Sequence, residues 1–381
     1  MYLNVKLDKI IKIPNQNIII GQNEVFVIAE IGKNFIQTLE DKSVEEYLEN
    51  AKELIKLAHQ TGVNAIKFQT HVLEDEQLNI DVTSPHFKGS DRYSWVERNE
   101  KATPLWFWQE LKRYADSLGI LFFSTPMSRN AAKKLNKVGV DIWKVGSGDM
   151  LDFVLLDYLA STKKPIIISS GMSSLKEIDK AYAFLKKRNA QFSIMHCISQ
   201  YPCPPQNLKL ETINFLKKRY NVPVGFSDHS IEATPSLIAV SMGAKIIEKH
   251  FSLSRDLWGS DHKTSLKPDE LKYLVSGIRF LEKNKKNKDT IVNNFKYFLT
   301  ESNNRVVDLE EEKFRPYFRK SIMCSRDIQV GETITSEMLY AMRPQTFAGG
   351  ISSEEYENIL GKKTNKLLKK YDPITWNVLS I

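Results

Sequence analysis

The sequence predicts an α/β protein, a (β/α)8 TIM barrel followed by a small β-rich domain. Three observations point there. Short runs of β-forming residues alternate eight times with helix-length amphipathic segments, over about 260 residues, the size of such a barrel. No glycine-rich dinucleotide turn follows the first strand, which disfavours an open doubly wound sheet. After residue 318 the texture changes to short β-like runs broken by turns. The expected division is therefore a barrel over 1–284, a linker over 285–318 and a tail domain over 319–381.

The first strand is VFVIAE (25–30), followed by a helix over Val44–Gln60 with Leu48, Ala51, Leu54, Ile55 and Ala58 on one face. NAIKFQ (64–69) is the second strand. Residues 70–103 are polar and aromatic without a sustained period, and read as a long lid-like loop. A helix resumes at Pro104, a residue suited to a first turn. ILFFST (120–125) and DIWKVGS (141–147) are the third and fourth strands, with helices starting at Arg129 and Phe153. PIIISSG (165–171) is the fifth, and Ser174 and Glu177 have the spacing of a capping box for the helix that follows. FSIMHC (192–197) is the sixth, with a helix from Leu210. VPVGFSD (222–228) and KIIEKHF (245–251) are the last two, separated by a helix over 231–242 and closed by a helix over Pro268–Lys283. The linker is charge-rich and weakly periodic.

Barrel chemistry sits where the strands end. Here every strand end carries polar side chains: Glu30; Lys67 and Gln69; Ser124 and Thr125; Lys144, Ser147 and Asp149; Ser169 and Ser170; His196; Asp228 and His229; Glu248 and His250. His229 and His250 end neighbouring parallel strands. With Asp228, Glu248 and Asp261 close by in sequence, they suit a divalent metal with open positions. Lys67, Lys144, Ser169 and Ser170 suit a phosphate, and the run Gly171–Ser174 leads into a helix N-terminus that adds backbone N–H donors. The pattern describes a phosphorylated substrate facing a Lewis acid.

A net charge of +8 over 381 residues permits an anionic ligand, but the lysines are dispersed and no aromatic-interleaved basic groove appears, so nucleic acid is not expected. No run of eighteen apolar residues exists, and a membrane partner is not expected either. The N-terminal stretch lacks a signal-peptide pattern, and the three cysteines (Cys197, Cys203, Cys324) are too few for a disulfide framework. The expectation is a cytoplasmic protein with reduced thiols.

The motifs AEIG (29–32), KFQT (67–70), STP (124–126), KVGSGD (144–149), SSGMSS (169–174), HCISQYPCPP (196–205), GFSDHS (225–230), EKHF (248–251) and GSDHK (259–263) resemble, in order and spacing, those of the sialic acid (nonulosonic acid) synthases. The tail RKSIMCSRDIQVGETIT, with Arg343-Pro344 and LGKK (360–363), is similar to their antifreeze-like SAF domain. The resemblance implies condensation of phosphoenolpyruvate with an N-acylated mannose-type aldehyde sugar, giving a nine-carbon 2-keto acid and phosphate. The alternative is a legionaminic-, pseudaminic- or spore-coat-type synthase acting on a deoxy-diamino sugar. It further implies that His229 and His250 bind Mn²⁺, or else Mg²⁺ or Co²⁺, and that Lys67, Lys144 and Ser169 hold phosphoenolpyruvate, with Ser147 and Tyr201. Glu30, Gln69 and Asp261 would contact the sugar or order water, Glu30 and Asp261 being the candidate bases. By the same resemblance the protein is a domain-swapped homodimer in which Arg343 reaches the partner's sugar in trans. Two departures stand out. The family's Asn-His-Asn-Gly run after AEIG is replaced over 33–38, where only Asn34 survives, which makes the acceptor sugar the open question. Asp149 stands where the family often has Glu. A non-catalytic sugar-binding homologue is the competing class, favoured only by the altered 33–38 run.

Overall fold

The structure is a computed structural model that describes residues 10–22, 24–84, 89–284, 286–295, 299, 307 and 309–380. Eight strands form one parallel sheet: β1 (Phe26–Gly32), β2 (Ala65–Thr70), β3 (Leu121–Pro126), β4 (Trp143–Val145), β5 (Ile166–Ser169), β6 (Phe192–Cys197), β7 (Val224–Asp228) and β8 (Ile246–His250). Their spatial order is β3-β2-β1-β8-β7-β6-β5-β4, and the end strands β3 and β4 lie side by side, so the sheet curls into a barrel. The strands are buried on both faces, which is why they read as nearly continuous apolar runs.

Around them run α1 (Val44–Gln60), α2 (Arg92–Ala102), α3 (Leu105–Leu118), α4 (Arg129–Val138), α5 (Phe153–Ser161), α6 (Leu175–Lys187), α7 (Glu211–Arg219), α8 (Thr234–Ser241) and α9 (Pro268–Lys283). Local chemistry sets their ends. Ser43 and Ser128 cap α1 and α4, and the Ser174–Glu177 capping box opens α6 as its spacing predicted. Gly119 and Gly139 close α3 and α4 in the left-handed conformation.

Two stretches depart from the expectation. The segment read as a loop over 70–103 contains a 3-10 turn, Leu73–Asp75, and the helix α2. Of the residues α2 buries, only Val96 and Ala102 are apolar; Arg92 and Asn99 are the others, so no hydrophobic period announced it. The linker is likewise structured in part, as α10 (Lys286–Asn294), α11 (Leu309–Glu312) and α12 (Arg315–Phe318).

In the tail, β9 (Ser321–Cys324) pairs antiparallel with β10 (Leu339–Met342), and β11 (Lys363–Thr364) with β12 (Leu379–Ser380). A unit this small buries little surface by itself, and its core residues Ile322, Leu339, Ile359 and Ile374 belong to one cluster with the barrel core. Polar contacts fix the join. Arg129 donates to the carbonyls of Ser336 and Leu339 at 2.7 Å, and Lys320 meets Asp149 at 3.0 Å and Asp152 at 2.8 Å. Within this chain the tail packs over the barrel's strand ends, and Arg343 lines the same cavity as the barrel residues.

Candidate active site

The strand ends open into a cavity of about 1310 Å³, its mouth included, between the barrel and the tail. Glu30, Lys67, Gln69, Lys144, Ser147, Asp149, Ser169, Tyr201, His229, Glu248, His250, Asp261 and Arg343 all line it. Parallel registration brings them there: Glu30 lies opposite both Lys67 and His250 in the neighbouring strands.

On the cavity floor, two lysines meet the carboxylate of Glu248, and one of them also meets Glu30. Lys67 Nζ is 2.7 Å from Glu30 Oε2 and 3.7 Å from Glu248 Oε2, and donates to Thr125 Oγ1 at 3.1 Å. Lys144 Nζ donates to Ser169 Oγ at 2.7 Å and lies 3.5 Å from Glu248 Oε1. Ser227 Oγ completes the set, donating to Glu248 at 3.1 Å. Burial alone would protonate Glu248, but Lys144 and Lys67 outweigh it and hold the carboxyl at about 2. Burial dominates at Glu30, and with the charge of Glu248 it lifts that carboxyl to about 7 despite Lys67 and Gln69. Burial opposes the charge on both lysines. At Lys67 it is outweighed by Glu248 and Glu30, which raise the pKa; at Lys144 it prevails and lowers it.

Beside this network the rings of His229 and His250 lie tilted at 51°, centroids 5.5 Å apart, and Tyr201 stacks on His229 at 4.0 Å. His229 Nδ1 is 2.7 Å from the Ile198 carbonyl. A carbonyl only accepts, so Nδ1 carries a proton and Nε2 is the nitrogen turned to a ligand. Burial opposes charge on the ring, but Cys197 and the Ile198 carbonyl outweigh it and raise its pKa. His250 Nδ1 is buried without a hydrogen-bond partner, and burial pushes its imidazole down to about 4, so the ring is neutral at physiological pH. Two imidazoles, one oriented by a carbonyl and one with an orphaned nitrogen, fit a divalent cation. Among the described residues no cluster of three or more His, Cys, Asp or Glu is placed to hold a metal. The remaining positions around such an ion would belong to substrate or water.

A further group of polar side chains is assembled around Gly32, whose backbone is left-handed (φ +56°). A methyl there would lie 3.1 Å from Glu30 Oε1, 3.2 Å from Gln69 Nε2 and 3.4 Å from Asp261 Oδ2, so the absent side chain lets these three groups converge. Gln69 donates to Glu30 at 2.9 Å. Arg343 pairs with Asp149, which Lys320 also meets.

Some expectations are corrected. Ser170 does not line the cavity; strand alternation turns it away from Ser169, and its hydroxyl donates to the Met195 carbonyl at 2.9 Å. Asp228 also points away from the two histidines. It pairs with Lys249 at 3.0 Å and accepts from Ser236, fully buried. His196 stacks on Phe226 and meets the Leu208 carbonyl, outside the cavity. The backbone donors expected to cradle a phosphate before α6 are already engaged. Met172 N–H donates to Glu311 of α11 at 2.9 Å, and Ser174 N–H to Glu177 at 2.7 Å. Of the altered run, Phe35 packs against Tyr47, Phe68 and Phe107 behind β1, while Lys33, Asn34 and Ile36 reach the cavity.

The structure adds Lys33, Arg92, Trp95, Trp258, Phe314 and Phe318 to the lining. Arg92 and Trp95 lie in the aromatic stretch whose composition already suggested a lid. Phe314 and Phe318 come from the presumed linker, where nothing in the sequence marked them.

A parallel barrel whose strand ends gather buried lysines, carboxylates and paired histidines under a capping tail defines a barrel synthase that works on small polar substrates. The chain belongs to the NeuB family, whose model matches residues 54–290, and residues 319–380 match the SAF domain. It is 34% identical to the human N-acetylneuraminate-9-phosphate synthase over 69% of this chain and 72% of that protein. It is 32% identical to the N,N'-diacetyllegionaminic acid synthase of Legionella pneumophila, over 92% and 93%. The crystal structure of the spore coat polysaccharide biosynthesis protein spsE from Bacillus subtilis superposes with a TM-score of 0.77 at 28% identity, covering 98% of this chain and 99% of that one. Among the described residues no helix is long and apolar enough to cross a membrane.

Proposed function

We propose that this protein condenses phosphoenolpyruvate with an N-acylated aldose of the mannose type, giving a nonulosonic acid and inorganic phosphate. The observation that carries the reading is the floor itself, where Lys67 and Lys144 converge on Glu248 beside a pair of histidines. The names of the human and Legionella relatives, both synthases of nonulosonic acids, support it.

The chemistry balances as follows. C3 of the enol phosphate attacks the aldehyde carbon and a C–C bond forms. Water adds at C2, the C2–O bond to phosphate breaks, and the aldehyde oxygen becomes a hydroxyl. Lys67 and Lys144, with Thr125, Ser169, Ser147 and Ser227, bind the phosphate and carboxylate and stabilise the negative charge of the leaving group. His229 and His250 would hold the divalent cation, Mn²⁺ being our assignment. When bound it supplies Lewis-acid polarisation of the aldehyde oxygen. Glu30, at about 7, is half protonated near neutrality and can accept a proton from water and return it. Asp261, across Gly32 from it, orients the acceptor, and Tyr201 keeps His229 in place by stacking.

The test is to incubate the purified chain with Mn²⁺, phosphoenolpyruvate and a panel of N-acylated amino- and diamino-hexoses. Phosphate release should require both substrates, and mass spectrometry should find an acid equal to acceptor plus enol phosphate plus water minus phosphate. Consumption of phosphoenolpyruvate without acceptor, or none with any aldose, contradicts the reading.

A further inference from the structure

The cations on the floor are paired with carboxylates; two on the wall are not. Lys33 follows Gly32 directly and stands beside the acceptor-side groups, its Nζ 5.2 Å over the ring of Trp95. Arg92, the first residue of α2, is only 7% exposed, and its guanidinium lies 4.9 Å over Phe318. Its Nε has no hydrogen-bond partner. Among the described residues neither Lys33 nor Arg92 has a carboxylate within ion-pairing distance. The neighbouring acids have other engagements: Glu76 is hydrogen bonded to His71 at 2.7 Å, and Asp149 is shared by Arg343 and Lys320. Asp261 contributes field at Lys33 from across Gly32. Aromatic faces orient the two cations without neutralising them. Enclosing uncompensated positive charge is costly, and a neutral sugar would leave that cost standing.

We propose that the acceptor sugar carries a phosphate monoester, seated against Lys33 and Arg92 at the end of the acceptor remote from its aldehyde. The inference rests on the synthase reading for the identity of the acceptor, but the subsite rests on the two side chains alone. A phosphate dianion matches both charges and the fork geometry of the guanidinium. Lys33 stands within the run that departs from the family pattern, so the departure falls on a residue that selects the acceptor.

The test compares three acceptors with the full chain, Mn²⁺ and phosphoenolpyruvate: an N-acylated 2-aminohexose, its 6-phosphate and the corresponding hexuronic acid. The phosphate should be used with a kcat/KM at least about tenfold above the neutral sugar, the worth of one charge-assisted contact. That ratio should fall towards one in Lys33→Ala and in Arg92→Ala, and be largely kept in Arg92→Lys, which also shows that the site still folds. Equal or better use of the neutral sugar, or a ratio unchanged in Lys33→Ala, overturns the proposal. A preference for the uronic acid over the phosphate overturns the phosphate assignment. Calorimetric titration of the hexose 6-phosphate without phosphoenolpyruvate gives a readout independent of turnover, with binding at least about tenfold weaker in Lys33→Ala. If that difference is found while no acceptor is converted, the synthase reading fails and the subsite stands; if it is absent, the subsite fails.

Discussion

The floor and the wall of the cavity treat charge in opposite ways. On the floor, Lys67 is held between Glu30 and Glu248, and Lys144 between Glu248 and Ser169. On the wall, Lys33 and Arg92 rest on aromatic rings and come from the turn after β1 and the start of α2. The difference teaches a division of labour. A floor that neutralises itself is stable before substrate arrives and can share its lysines with an incoming anion. A wall that leaves charge open is set up to discriminate between ligands.

The largest effect should come from breaking the floor at the histidines. His229→Ala or His250→Ala should lower phosphate release by about a thousandfold or more, the scale of losing a main source of transition-state stabilisation. Elemental analysis after dialysis should show the metal lost with it. Lys144→Ala should reduce kcat/KM for phosphoenolpyruvate by about a hundredfold. Lys67→Met should act on folding as well, because it leaves Glu30 and Glu248 buried around a missing cation. Denaturant titration should find it destabilised by about 3–5 kcal/mol. If Lys67→Met melts like the parent, the floor is not a coupled network.

The wall predicts smaller, selective effects. Arg343→Ala removes one of two cations on Asp149, and should cost about 2 kcal/mol of stability and raise KM for the acceptor about tenfold, with KM for phosphoenolpyruvate little changed. The last effect depends on pH. Burial, with the charge of Arg92, pushes the Lys33 ammonium down to about 7 against the opposing pull of Asp261 and Glu76; Arg343 also lowers it. The charged form therefore dominates below pH 7 and is lost above it. The advantage of a phosphorylated over a neutral acceptor, measured as a ratio of kcat/KM, should fall severalfold between pH 6 and 8, and the fall should vanish in Lys33→Arg.

The same contrast explains what could be read from the sequence. The floor was legible because strand side chains alternate with period two and a parallel barrel sends all strand ends to one rim. Glu30, Lys67, Lys144, His229 and His250 are placed together by that rule alone. The rule also shows where the reading slipped: Ser170 and Asp228 sit one residue out of phase with Ser169 and His229, and each points away from the cavity. The wall has no such period. Arg92 is buried on a helix with hardly any apolar face, and Phe314 and Phe318 occupy a charge-rich stretch that reads as linker. Glu311, whose carboxylate fills the backbone donors at Met172 and Ser199, lies 112 residues from Ser199. Only the fold brings such a pair together.

The account stands or falls on an enol phosphate seated beside a divalent cation at the ends of β7 and β8. The most direct measurement is ³¹P NMR of phosphoenolpyruvate titrated with the full chain and Mn²⁺. The account predicts strong paramagnetic broadening of the phosphorus line with the parent protein and none beyond the free-ion level with a variant carrying both His229→Ala and His250→Ala. Equal broadening with both proteins, or a sharp line at saturating parent protein, would contradict it.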